Sequence, residues 1–107
     1  MNVNGIVRSY FANNKSGEEF FSQVADHIER QLKEWDEDYE VFLMRFSYYE
    51  LMVKNNEQYY HVEMTEDELV SLQKSDPFAL DRKLWNELAG QGLQIKKGNG
   101  NYLDTVL

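Results

Sequence analysis

From Tyr48 to Met64 the chain reads as an aromatic-rich β-hairpin, and its turn sets which side chains share a face. Asn55-Asn56 supplies a two-residue turn, because Asn tolerates the positive φ that tight hairpins demand. Closure there sets Lys54 opposite Glu57, an opposite-charge pair. It also sets Val53 opposite Gln58, Leu51 opposite Tyr60 and Tyr49 opposite Val62 on one face. The other face then carries Tyr48, Glu50, Met52, Tyr59, His61 and Glu63. One side has the character of a core. The other is acidic and aromatic, a candidate contact surface.

The flanking sequence supplies helices. Ile6, Val7, Tyr10 and Phe11 have helical spacing without clear boundaries, and Asn13-Asn14-Lys15 reads as a turn. Ser16 and Glu19 form an S-x-x-E capping box, after which Phe20, Phe21, Val24, Ile28, Leu32 and Trp35 trace one apolar stripe. Asp36-Glu37-Asp38 ends that helix near residue 35. Tyr39 to Ser47 fits either a continued helix or a strand. Its Val41-Phe42-Leu43-Met44 core is dense in strand formers, which predicts a strand leading into the hairpin as a meander. Thr65 and Glu68 form a second capping box that opens a short helix. Asp76 as N-cap and Pro77 at the first helical position predict another, with Leu80, Leu84, Leu88 and Trp85 inward and Gly90 or Gly92 at its end. Leu93–Lys97, the Asn-Gly-containing turn at 98–101 and Tyr102–Leu107 predict a closing β-hairpin. The expected fold class is α+β, in one domain over residues 1–107: N-terminal helix, antiparallel meander, two short helices and a C-terminal β-hairpin.

Composition narrows function mainly by exclusion. Hydrophobic residues at 42% and aromatics at 14% provide a core, so disorder is excluded despite the charge. The apolar runs are far too short for a membrane span. The first residues lack the basic and apolar segments of a signal peptide, so a cytoplasmic location is the expectation. The absence of cysteine excludes disulfides, thiolate metal sites and cysteine nucleophiles. Net charge is 11 − 19 = −8, with 6 basic and 12 acidic residues in positions 1–65. A field of that sign repels phosphates and favours solubility or a basic partner.

Motifs for catalysis are missing. His27 borders the apolar stripe of the long helix, where a lone histidine is usually packed and hydrogen bonded. In the hairpin register His61 faces Glu50, with Glu63 two residues on; such a pair can orient a metal ligand or serve a general base, but is more often a cross-strand polar pair. No H-x-x-x-H, H-E-x-x-H or D-x-D-x-D-G spacing supports a metal, and no G-x-S-x-G elbow or phosphate loop is present. The expectation is a protein without catalytic residues, metal or cofactor.

Two binding readings remain. Helix, turn, helix and hairpin also describe a winged-helix DNA-binding unit, with Arg82, Lys83 and Asn86 on the 79–89 helix and Lys96 and Lys97 in a wing turn at 96–101. Residues 66–107 nevertheless net 5 − 7 = −2, and Asp81 and Glu87 share the proposed recognition helix, which disfavours nucleic acid. The stronger expectation is a small acidic protein-binding module, of the inhibitor, immunity or nucleic-acid-mimic type. It would engage a basic protein surface, or a second copy of itself, through Tyr48, Glu50, Met52, Tyr59, His61 and Glu63. Asp36, Glu37 and Asp38 would supply steering charge. The residues carry no signature of a known family.

Overall fold

The computed structural model describes residues 1–97 and 100–107. In chain order it contains α1 (Gly5–Asn14), α2 (Gly17–Trp35), β1 (Tyr39–Arg45), β2 (Tyr49–Asn55), β3 (Gln58–Met64), α3 (Glu66–Ser75), α4 (Ala79–Gly90) and α5 (Tyr102–Val106). The three strands form one antiparallel sheet in the order β1-β2-β3. The chain is therefore α+β, with a strand at residues 39–45 as the sequence predicted.

Local chemistry sets most boundaries. Asn4 caps α1, its side chain accepting from the backbone N–H groups of Ile6 and Val7. Ser16 caps α2 by accepting from Glu19 N–H at 3.2 Å. Phe20, Phe21, Val24, Ile28 and Leu32 are then buried at helical spacing, each contributing about 1.5–3 kcal/mol before entropy is counted. Thr65 and Glu68 form a complete capping box at α3. Asp76 is not the N-cap of α4 as predicted: it accepts from Phe78 N–H at 2.7 Å in the preceding turn, and the helix begins two residues later, at Ala79, with Phe78 in the cap position. Gly92, at φ +103°, closes α4 with a Schellman pair, Gly92 N–H to Ala89 O and Leu93 N–H to Leu88 O.

The hairpin turn lies one residue further along than the sequence suggested. Asn55 pairs with Gln58, so the turn is Asn56-Glu57 with Asn56 at φ 55°, while Asn55 Nδ2 donates to Asp36 Oδ2 at 3.2 Å. Partners consequently shift by two: Val53 faces Tyr60, Leu51 faces Val62 and Tyr49 faces Met64. A two-residue shift preserves the side-chain faces. Tyr49, Leu51, Val53, Tyr60, Val62 and Met64 form the buried face. Phe21 of α2 stacks on Tyr49 at 5.5 Å, which places the helical layer on that side.

The C-terminal β-hairpin is not formed. Among the described residues, 93–97 carry no strand and Tyr102–Val106 is a helix; the proposed turn at Gly98-Asn99 lies outside the described residues. The residues after the proposed turn are committed to distant partners. Asn101 bonds the N-terminal segment, accepting from Val3 N–H at 2.8 Å and donating to Val3 O at 3.2 Å. Tyr102 turns inward to reach Asp81 at 2.5 Å.

The two-residue turn also fixes the edges. With Asn55 and Gln58 hydrogen bonded, alternation points the backbone groups of Lys54, Met52 and Glu50 toward β1. Tyr39, Val41, Leu43 and Arg45 then face outward from β1. Tyr39 N–H accordingly donates to Asp36 O, and Val41 N–H to Glu29 Oε2 at 3.1 Å. On β3, the Gln91 amide binds both the N–H and the C=O of His61, occupying that edge as a neighbouring strand would.

Candidate functional site

The sheet face away from the helices holds most of the residues singled out from sequence. In register across the strands lie Phe42, Met52 and His61, with Met44, Glu50 and Glu63 in the row on one side and Glu40, Lys54 and Tyr59 on the other. Phe42 is 39% exposed and Tyr59 52% exposed. The Lys54 ammonium lies 5.9 Å from the Tyr59 ring centre, a cation–π distance that fixes the ring against the face. Three carboxylates against one ammonium leave the face acidic.

Glu50 and Glu63 stand directly opposite each other, a like-charge arrangement that disfavours pairing. His61 relieves it, its Nδ1 lying 2.7 Å from Glu50 Oε1. The Glu50 side chain is only 11% exposed, whereas that of His61 is 50% exposed. The Glu50 carboxylate is thus nearly buried beside a half-exposed His61 imidazole. Among the described residues, no cluster of three or more histidine or carboxylate side chains is arranged to hold a metal.

Tyr48 is displaced from the expected position. It belongs to the 46–48 connection between β1 and β2, not to a strand, and its ring packs 5.3 Å from that of Phe46. Phe46 is 57% exposed, so this aromatic pair extends the face at one end. Sequence reasoning overlooked Phe42, Met44 and Phe46 as members of the surface, although their alternation with Val41, Leu43 and Arg45 marks them once residues 39–45 are a strand.

The acidic run has divided roles. Asp36 is structural: its carboxylate accepts from Asp38 N–H at 3.0 Å and from Asn55 Nδ2, and these hydrogen bonds hold its pKa below the ordinary value. Glu37 and Asp38 are exposed at the same end as the hairpin turn and border a shallow groove with Glu40, Phe42 and Lys54.

The winged-helix residues are committed elsewhere. Arg82 binds Asp76 at 3.1 Å and Val106 O at 3.0 Å, while Lys83 binds Glu87 at 2.8 Å. Asp81 is fully buried, and Lys96 and Lys97 lie in a segment, 93–97, that carries no strand. Among the described residues, the strands that would form the wing of that reading are missing, and Tyr102–Val106 is a helix instead.

A second polar constellation lies in the core. Arg8, 1% exposed, binds both carboxylate oxygens of Asp81, one of them at 3.0 Å, and donates to Pro77 O at 3.1 Å and to His27 Nδ1. Tyr102 Oη donates to Asp81, and Trp85 Nε1 donates to Tyr102 Oη at 3.1 Å. Because arginine stays protonated, His27 must accept at Nδ1 and so be neutral. Burial and the neighbouring Arg8 lower its pKa to about 4. Burial raises the pKa of Asp81, opposed by Arg8 and Tyr102, and burial beside Asp81 pushes Tyr102 well up. The network ties α1, α2, α4 and α5 together, with Arg8, Asp81 and Tyr102 all buried.

Comparison with protein-family models, characterised proteins and solved structures returned no match. No helix among the described residues is long and apolar enough to cross a membrane.

Proposed function

We propose that this protein is a non-catalytic binding module that engages a basic protein surface through the open face of its sheet. The observation that carries the reading is the exposure of Phe42 and Tyr59 on a face that no helix covers. Exposed aromatics on a regular, rigid surface bury area with little entropy loss, which is why such residues anchor interfaces. The strands are seven residues long, so the face measures roughly 23 by 14 Å, about 320 Å². A stable interface takes about 800 Å² from each partner. The face is therefore the centre of the contact, and Glu37, Asp38, Glu57 and the Phe46–Tyr48 pair form its rim.

Charge argues for a basic partner over self-association. Two copies at −8 each repel, whereas a cationic surface is steered in and meets Glu40, Glu63 and the acidic run. An inhibitor, immunity or nucleic-acid-mimic role, acting in the cytoplasm, fits this chemistry. Immobilised protein incubated with native lysate at low salt should retain a protein that elutes as salt rises. The Tyr59→Ala protein, folded but lacking one anchor, should retain at least tenfold less. Salt-insensitive retention, or equal retention by the variant, would remove the support for this reading.

A further inference from the structure

We infer that the edge of β1 at Leu43–Arg45 is a second docking site, which takes an extended, cationic segment of a protein as an added strand. This site uses different atoms from the open sheet face and does not depend on that reading. Leu43 and Arg45 direct their backbone N–H and C=O groups outward, beyond the stretch where Asp36 and Glu29 have already filled the edge. No hydrogen bond from either outward backbone group occurs among the described residues. The opposite edge of the sheet is closed at its middle by Gln91.

The ground beside this edge is shaped for side chains. A groove of about 720 Å³ runs between β1 and α2, floored by Phe11, Phe21 and Leu43 and walled by Glu18, Glu19 and Asp26. Leu43 is 41% exposed at its mouth. Of the three carboxylates, Glu18 is held by Arg45 at 2.8 Å and Asp26 by Arg30 at 3.0 Å, which leaves Glu19 as the uncompensated charge; the Arg45 guanidinium also lies over the Tyr49 ring at 4.8 Å. A strand added to β1 would project alternate side chains into the groove and onto the open face. Apolar groups would meet Phe11 and Leu43, and a flanking lysine or arginine would meet Glu19. The net charge that opposes a second copy favours this occupant.

The test uses a fluorescein-labelled peptide of alternating lysine and valine, followed by anisotropy with the whole protein at low salt. Three comparisons accompany it: the same peptide N-methylated at every second residue, an alternating glutamate–valine peptide, and the Leu43→Pro protein. Proline is tolerated at an edge position whose N–H points outward, so the β1–β2 ladder should survive while the outward donor is lost. The expected result is saturable binding of the cationic peptide, at least tenfold weaker for the N-methylated form and about tenfold weaker for Leu43→Pro. Tyr59→Ala should bind it as the parent does, which separates this site from the sheet face. If Leu43→Pro fails to fold, the N-methylated peptide decides alone. Equal binding of the N-methylated or acidic peptide, or none by any peptide, overturns the proposal. So does self-association of the protein that Leu43→Pro abolishes, since the edge would then belong to a second copy.

Discussion

Replacing Asp81 with Asn tests the core network at its most demanding point. Asp81 is fully buried and accepts from both guanidinium nitrogens of Arg8 and from Tyr102 Oη. In the variant Arg8 keeps its charge at 1% exposure with only neutral acceptors left to it, Pro77 O, His27 Nδ1 and the single oxygen of the new amide, and its Nε already lacks a hydrogen-bond partner. The new amide also aims a donor at a donor. Removing one partner of a buried ion pair costs about 3–5 kcal/mol, because the other charge stays desolvated and uncompensated. Domains of this size are stable by only about 5–15 kcal/mol. With a urea dependence of about 1–3 kcal/mol per molar, the midpoint should fall by about 1–5 M at unchanged slope. Arg8→Met should cost a similar amount, and Arg8→Met combined with Asp81→Leu should recover most of it. With Asp81→Leu as the second single variant, the two single costs should together exceed the loss in the double variant by several kcal/mol. A midpoint shift below about 0.5 M for Asp81→Asn, or strict additivity in the cycle, would refute the coupled network.

Two further outcomes follow from the same contacts. His27 titrates at about 4 when folded and near 6.5 when unfolded, so its contribution is complete above the unfolded value and lost as pH falls toward 4. The full shift corresponds to about 3 kcal/mol, which partial solvent screening at its half-buried position reduces to about 1–2 kcal/mol. Urea midpoints for the parent and His27→Gln should therefore converge between about pH 7 and pH 4.5, and parallel profiles would contradict the neutral, accepting imidazole. Gln91→Ala uncovers the N–H and C=O of His61 on the β3 edge. It should cost under about 1 kcal/mol yet raise concentration-dependent association in light scattering, and unchanged scattering would show that the edge needs no cover.

The parts legible in the sequence were those set by local chemistry and period. Ser16, Thr65 and Gly92 mark their helix ends because capping is decided within a few residues. The hairpin faces were legible even though Asn55-Asn56 misplaced the turn, because a shift of two partners leaves a period of two intact. Asn55 and Asn56 both tolerate positive φ, and only the distant Asp36 decides that Asn55 is used for a side-chain bond instead. The C-terminal hairpin failed for a similar reason. Asn101 and Tyr102 have partners in Val3 and Asp81, far away in the sequence. The core network did leave a trace. Asp81 falls on the stripe of Leu84, Trp85 and Leu88, so a charged residue occupied a core position and required a buried counter-charge. What the sequence could not show was that Arg8, in a helix with weak boundaries, supplies it.

The open sheet face is best tested by one comparison of capture from lysate, using the parent and a Phe42→Ser/Tyr59→Ala double variant whose urea midpoints are measured alongside. Exposed side chains held for a partner can be replaced at a cost within about 0.5 kcal/mol each, so the variant should unfold near the parent midpoint. It should nevertheless lose the salt-sensitive partner. A variant that still captures the same protein in the same yield would contradict the sheet face as the binding surface.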